Sequence, residues 1–113
     1  MSTPKDRLDV IQGVYHDAVT NEPNDLAQVT TAAQVSEVLQ NVANARHTYY
    51  AAAVAALIAT SPEVEVAYLA ATDALAAVKE ARVKSVQLAA LFQTMSGATA
   101  AATKLLNAAK STA

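Results

Sequence analysis

Few residues of this sequence could act in catalysis or bind a metal ion. The first group of them lies on the polar side of the first predicted helix. Asp9, Gln12 and His16 share that side, and Asp17 follows His16 directly. A histidine beside a carboxylate can orient a general base or hold a metal ion. The same spacing is also typical of an ordinary solvated helix face, and we prefer that interpretation. We therefore predict no catalytic, cofactor-binding or metal-ligating residue.

A second group of reactive side chains lies near the middle of the chain, with His47 beside Arg46 and with Tyr49 beside Tyr50. We expect His47 to be structural and the tyrosines to pack in a core or an interface rather than to donate protons. The sequence has no paired ExxH motif, no glycine-rich phosphate loop and no nucleophile elbow. It has no cysteine, which excludes disulfides and thiolate metal sites. This pattern favours a non-enzymatic protein that needs no cofactor.

The composition decides the fold class. Of the 113 residues, 28 are alanine, so the hydrophobic fraction of 53% overstates the area that the chain can bury. At about 25 cal/mol per Å² of apolar surface, alanine faces stabilise a fold weakly unless the backbones approach closely. The excess of alanine and the presence of only two glycines favour helix. We predict a single all-α domain over residues 1–113.

The start signals of two helices are clear. Thr3 is a predicted N-cap with Pro4 in the first helical position, and this amphipathic helix is expected to end near Thr20. Residues 21–25, which include Pro23, are expected to form a loop. Ser61 and the proline after it repeat the start signal.

The longest predicted helices flank that second start signal. One begins between Asp25 and Thr31 and runs to about Thr60, and the other runs from residue 62 to about Met95. Gly97 is expected to stop or kink this helix before a short C-terminal helix. Because the joint between them is short, we predict an elongated antiparallel helical hairpin of helices at about 30–60 and 62–95.

The apolar side chains suggest a surface that this hairpin cannot bury. Beyond Lys84 the large residues lie on the side of the helix opposite to its main stripe, and Val54 and Ile58 also lie off their stripe. A helix that is apolar all round is normally buried all round. Either another helix of the chain or a second subunit must cover this surface. The predicted interface residues are Arg46, Tyr49, Val54, Ile58, Arg82, Leu88, Leu91, Phe92 and Met95.

Arg46 and Arg82 interrupt the apolar stripes of the two long helices. Their stems could lie along apolar surface with the guanidinium in water. Alternatively, each could form an ion pair across an interface, since arginine suits partly buried pairing. The acids available for pairing are Asp9, Asp17, Glu37 and Asp73.

The charges are distributed unevenly along the chain. All ten acidic residues lie at or before Glu80, whereas the four charged residues from Arg82 onward are basic. The two halves could neutralise each other within one chain, or they could attract neighbouring copies head to tail. The net charge of −2 gives little repulsion against association. Four dispersed cations are a weak footprint for nucleic acid, and we predict no nucleic-acid binding.

Two segments carry a resemblance to a known family. "HDAVTNEP" and "AALFQTMSGATAAATKLLNAA" resemble the killing-trait proteins that build bacterial R-bodies, with the similarity at residues 17–20 and 91–94. The family's Ala-Pro-Ala step and glutamine-rich run are missing here, and the match covers only part of the chain. The resemblance implies a small, alanine-rich chain that assembles with copies of itself.

These observations predict a structural or interaction protein that self-associates through alanine-rich helical faces as an assembly or filament subunit. One alternative is an amphipathic lipid-surface binder, although such helices usually carry Lys or Arg beside the apolar face. Another is a small helical regulator or adaptor that binds a partner protein. The polar N-terminus lacks the apolar segment of a secretory signal, and no run is a convincing membrane span, so we expect a cytoplasmic protein.

Overall fold

The protein, seen in a computed structural model that describes residues 1–110, consists of four helices. They are α1 (Pro4–Gln28), α2 (Ala32–Val54), α3 (Pro62–Val83) and α4 (Leu88–Ala109). The described part contains no strand, so the predicted all-α class is confirmed. The last three residues of the predicted domain, 111–113, lie outside the described part. The molecule is elongated, with extents of 47 × 24 × 18 Å.

The helices alternate in direction and pack as two antiparallel hairpins. In the first hairpin the aromatic ring of Tyr15 on α1 stacks on that of Tyr49 on α2. In the second, the Arg82 guanidinium of α3 reaches the sulfur of Met95 on α4. The helices α1 and α4 contact each other in the middle of the bundle, and α2 and α3 each pack against both of them.

Antiparallel hairpins are therefore present, but they pair α1 with α2 and α3 with α4, whereas the prediction paired the helices at about 30–60 and 62–95. Across the described helices, α2 and α3 make no backbone contact with each other. The predicted bounds of about 30–60 and 62–95 also change, because α2 ends at Val54 and α3 ends at Val83. The short C-terminal helix that we predicted is instead a helix of 22 residues, α4.

The start of α1 forms as its sequence signal predicts. The hydroxyl of Thr3 accepts a hydrogen bond from the backbone N–H of Asp6 at 3.1 Å. The carboxylate of Asp6 accepts one from the Thr3 N–H at 2.9 Å, which completes a capping box. Pro4 occupies the first helical position, where its missing N–H costs nothing.

The predicted end of α1 near Thr20 is wrong, because the helix continues through Pro23 to Gln28. A proline inside a helix typically costs about 3 kcal/mol. The residues after it offset that cost through tertiary contacts. Asp25 is fully buried in an ion pair with Arg82, and Leu26 packs against the core.

The segment between α2 and α3 is not helical because its backbone groups bond elsewhere. The carbonyl oxygens of Leu57 and Ala59 accept hydrogen bonds from Nη1 of Arg7 at 2.7 and 2.9 Å. The N–H of Ala59 donates to the carbonyl of Ala109, at the end of α4, at 3.0 Å. These contacts replace the bonds that would have carried α2 to Thr60.

The break after α3 occurs at Ser85, where the sequence has no glycine or proline. Ser85 has a φ of 54°, in the left-handed region. The N–H groups of Ser85 and Val86 donate to the carbonyls of Arg82 and Ala81, which is the pattern of a Schellman C-cap. The expected stop or kink at Gly97 is wrong, because α4 runs through this residue.

The helix α4 supplies a larger share of the core than any other helix. It supplies eight of the buried hydrophobic residues, from Leu91 and Phe92 at one end to Ala109 at the other. The buried side chains of α1 and α2 are mostly smaller, such as those of Val14 and Ala45. The C-terminal helix is therefore the central element of the bundle rather than an addition to it.

The strained cap at Ser85 gives the first prediction. Replacing Ser85 with glycine should raise the free energy of unfolding by about 1 kcal/mol, because glycine adopts positive φ without the Cβ penalty. The matched control is Ser96→Gly, at an exposed position inside α4, which should lower that free energy by about 0.5 kcal/mol. Urea unfolding measured on both variants checks the sign of each change. A loss of stability in Ser85→Gly would contradict the assignment of this cap.

Candidate functional site

The strongest polar cluster in the bundle is formed by Arg82 and two acids of α1. Nη1 of Arg82 donates to Oδ1 of Asp25 at 2.8 Å, and Nη2 donates to Oδ2 of the same residue at 3.1 Å. Nε and Nη2 also donate to Asp17, at 3.2 and 3.1 Å. Burial lowers the pKa of Arg82, but the hydrogen bonds with Asp25 and Asp17 outweigh it and raise the pKa overall. Arg82 therefore forms its ion pairs inside the chain.

A cavity of about 280 Å³ opens beside this cluster, between the end of α1 and the turn after α3. Its lining includes Asn21, Asn24, Gln28 and Ser85 together with the cluster itself. The guanidinium faces two carboxylates, so it is already neutralised and is poorly placed to receive an anion. The cluster joins α3 to α1 through ion pairs and does not present a reactive group.

A second buried arginine, Arg7, was not singled out by the sequence. Its Nη1 bonds to the linker between α2 and α3, its Nε donates to the hydroxyl of Ser2 at 3.0 Å, and its Nη2 reaches Glu65 at 3.3 Å. Only 2% of Arg7 is exposed. No local pattern marks it, because its partners in the linker and on α3 lie 50 to 58 residues away along the chain.

Glu65 receives hydrogen bonds from Ser2 and from Arg7. The hydroxyl of Ser2, then its backbone N–H, and then Arg7 lower the pKa of Glu65 below its ordinary value. These contacts join the residues before α1 to the first turn of α3. They close the end of the bundle at which α1 and α3 both begin.

Tyr15, Tyr49 and Tyr50 form an aromatic cluster on the outer edge of the α1–α2 hairpin. The centroid of Tyr15 lies 5.5 Å from that of Tyr49 and 6.1 Å from that of Tyr50. Arg46 is exposed beside them, and the side chain of Tyr15 raises the pKa of Arg46. Exposed tyrosine and arginine together are the residue types most enriched at binding hot spots.

The remaining predicted interface residues divide into two groups. Leu91, Phe92 and Met95 are buried inside the chain, so other helices of the same chain cover them and their assignment to an interface is wrong. They were assigned to the third helix, but they lie on α4 and face the core of the same chain. Leu88 is half-buried at the start of α4.

Val54 and Ile58 belong to the second group and are exposed, at the end of α2 and in the linker that follows it. Arg46 and Tyr49 lie at the tyrosine cluster, whereas Arg82 lies inside the bundle. The structure therefore does not bring the nine predicted residues together at one surface.

An apolar surface that was not predicted lies on α3. The α3 outer face consists of Val66, Leu69, Asp73, Ala76, Ala77 and Glu80, which share one side of the helix and are all exposed. Val66 and Leu69 are 69% and 59% exposed. A shallow groove of about 420 Å³ between α3 and α4 continues this face past Ala67 and Ala70 to Lys104. The signal for this surface was present in the sequence, since α3 is apolar on more than one side.

A groove between α2 and α4 is instead polar. Two adjoining cavities of about 360 and 340 Å³ share Asn41, Asn44 and Ser96 in their lining. Thr99 donates to the side-chain oxygen of Asn41 at 2.8 Å, which fixes that amide at the floor. His47 lies at the edge of one of these cavities, whose lining includes the hydroxyls of Ser96 and Thr103 but no carboxylate.

Residues 1–110 contain neither a metal-binding cluster nor a helix that could span a membrane. No group of three or more His, Cys, Asp and Glu side chains in that range is placed to hold a metal ion. None of the four helices combines the length and the apolar character that crossing a bilayer requires. His16 is exposed on α1, and Asp9 pairs with Lys5 at 2.8 Å.

Comparisons with protein-family models, with curated proteins and with solved structures gave no match. The resemblance to the killing-trait proteins therefore rests on the two short segments alone. One of them lies inside α1 and the other covers most of α4.

The Arg82 cluster gives the second prediction. Arg82→Met should lower the free energy of unfolding by about 3 kcal/mol, because it leaves the buried carboxylate of Asp25 without a partner. Arg46→Met is the matched control and should leave that free energy nearly unchanged, since Arg46 is exposed. Thermal unfolding followed by circular dichroism compares the two. An unchanged unfolding temperature in Arg82→Met would show that its ion pairs do not stabilise the bundle.

The bonds to Glu65 give a prediction about pH. Because the folded-state pKa of Glu65 lies below its unfolded value of 4.5, its contribution to stability is present above that pH and is lost as the pH falls through the folded-state pKa. Glu65→Gln should therefore reduce the slope of Tm against pH between about pH 5 and pH 3. Glu63→Gln is the control, since Glu63 lies in the same turn but makes no hydrogen bond through its side chain within residues 1–110. An unchanged slope in Glu65→Gln would contradict this role.

Proposed function

We propose that this chain is a non-enzymatic structural or interaction protein that self-associates, as the subunit of a larger assembly, through the α3 outer face. The observation that carries the proposal is the exposure of Val66 and Leu69 on a helix that also exposes alanines on the same side. Soluble monomers rarely leave contiguous apolar surface of more than a few hundred Å² uncovered.

The side chains of this face suit another helix better than a small ligand. Ala76 and Ala77 are short, so the backbone of a second helix can approach closely. The groove between α3 and α4 is shallow and apolar, with Glu63 and Lys104 at its margins. It offers few polar groups to orient a small molecule, whereas a protein face could extend along the whole helix.

The charges of the face favour a protein partner over a lipid surface. Asp73 and Glu80 lie within the α3 outer face, and anionic lipid headgroups would repel them. A net charge of −2 produces little electrostatic repulsion between copies of the chain. A second copy is therefore the preferred occupant, and an unrelated partner protein is the alternative.

A substitution in the middle of the face tests the proposal. The unmutated protein should sediment as an oligomer at tens of micromolar, and Leu69→Asp should weaken association at least about tenfold, because a dry interface cannot bury an unpaired charge. Ala100→Asp adds the same charge to an exposed position on α4 and should leave association unchanged.

Sedimentation velocity with circular dichroism on the same samples separates lost association from lost folding. If the unmutated protein is a monomer at these concentrations, self-association is refuted. Co-sedimentation with anionic vesicles would then favour the lipid-binding alternative.

A further inference from the structure

The arrangement of the helices leaves α2 and α3 at opposite edges of the bundle. Each packs on α1 and α4, and their backbones make no contact with each other. Their outer sides therefore point away from one another. The α2 outer face consists of Gln40, Ala43, His47, Tyr50 and Val54, which share one exposed side of that helix.

Two residues of opposite charge that form no ion pair within residues 1–110 lie on or beside the two outer faces. Asp73 lies at the middle of the α3 outer face and forms no ion pair within residues 1–110. Arg46 lies beside the α2 outer face, next to His47, and likewise forms no ion pair within the described residues. No acidic residue occurs in α2 after Glu37. The α2 face is therefore neutral to basic where the α3 face is acidic.

We propose that the α2 outer face of one copy packs antiparallel on the α3 outer face of the next, with Arg46 and His47 opposite Asp73. This inference rests on the proposed function and specifies the geometry of the assembly. The antiparallel contact follows because α2 and α3 run in opposite directions within one chain, so copies in the same orientation bring them together antiparallel.

The spacing of the side chains fits this register over the middle of the two faces. With Arg46 opposite Asp73, moving four residues along each helix places Tyr50 opposite Leu69. Moving three residues the other way places Ala43 opposite Ala76. An exposed aromatic ring thus meets an exposed leucine, and two alanines allow close approach of the backbones.

The positions of the α2 and α3 residues along the long axis of one chain agree with the same register. Asn41 of α2 lines one small cavity together with Leu75 and Val78 of α3, so Asn41 lies level with that turn of α3. Counting residues along α2 and α3 from that height shows how Arg46 and Asp73 compare. Along the long axis of the bundle, Arg46 lies about two residues, or about 3 Å, from the height of Asp73. Neighbouring copies therefore need little shift along the long axis and stack side by side.

The charges also argue against the simplest alternative, a symmetric dimer of two α3 outer faces. An antiparallel contact of that kind centred on the face would place the two Asp73 carboxylates near each other, and like charges in an interface are unfavourable. The contact between α2 and α3 is heterologous, since each copy uses two different faces. A heterologous contact that does not close into a ring continues from copy to copy as an open array.

Two variants that each disable one face test the proposal. Tyr50→Asp blocks the α2 outer face, and Leu69→Asp blocks the α3 outer face. Each variant alone should be a monomer. An equimolar mixture should form a one-to-one dimer that grows no further, because the intact α2 face of one variant meets the intact α3 face of the other. Ala43→Asp is a second variant of the α2 face that leaves the tyrosine cluster intact.

Sedimentation velocity and native mass spectrometry of the single variants and the mixture give the answer, with circular dichroism as the check on folding. If Tyr50→Asp and Ala43→Asp both associate like the unmutated protein, the α2 outer face is not part of the contact and the inference is overturned. A mixture that stays monomeric overturns it as well. If the unmutated protein itself does not associate, it is the proposed function that fails.

A charge reversal tests the register. Asp73→Arg should weaken association at least about tenfold, because it places a second guanidinium near Arg46 of the neighbouring copy. Mixing it with Arg46→Asp should restore the affinity for that one contact. Failure of the mixture to recover any affinity would overturn the pairing of these two residues.

Discussion

Arg82 ties α1 to α3, and its pairing with Asp25 and Asp17 constrains much of the bundle. Because Asp25 is fully buried, its carboxyl group requires the guanidinium as a hydrogen-bonding partner. That requirement holds α1 helical beyond Pro23 and fixes the end of α3 against the side of α1. Arg7 performs a similar function at the opposite end, where it joins α1 to the linker before α3. Both ends of α3 are fixed by groups that point inward, and its outer side exposes Val66, Leu69 and alanines together with Asp73 and Glu80.

The sequence predicts those features of the fold that depend on neighbouring residues. The cap at Thr3 with its proline, the restart of helix at Pro62 and the all-α class all follow from local signals, and all are present. The continuation of α1 past Pro23 and the end of α3 at Ser85 could not be found in this way. The first depends on a partner 57 residues away, and the second places serine in a backbone conformation that glycine usually marks.

The candidate surfaces were harder to predict than the helices because alanine weakens the contrast between the faces of a helix. Leu91, Phe92 and Met95 were placed on an exposed side only because α3 and α4 were taken as one helix. Once the chain turns at Ser85, the same residues point into the core. The exposure of Val54 and the apolar character of α3 on several sides could both be read from the sequence. Which side of α3 would stay uncovered depended on the packing of four helices.

The central position of α4 has a consequence for the order in which this protein can fold. The first three helices are synthesised before α4, and α2 and α3 do not pack on each other. Until α4 leaves the ribosome, the nascent chain can form the α1–α2 hairpin but has few large side chains to bury with it. The contacts between α1 and α4 join distant parts of the chain, so they carry a loop-closure entropy that the contacts within one hairpin largely avoid. Newly made chains would expose their apolar helix faces during that interval. Chaperones or other copies of the chain could bind these faces most readily at that stage.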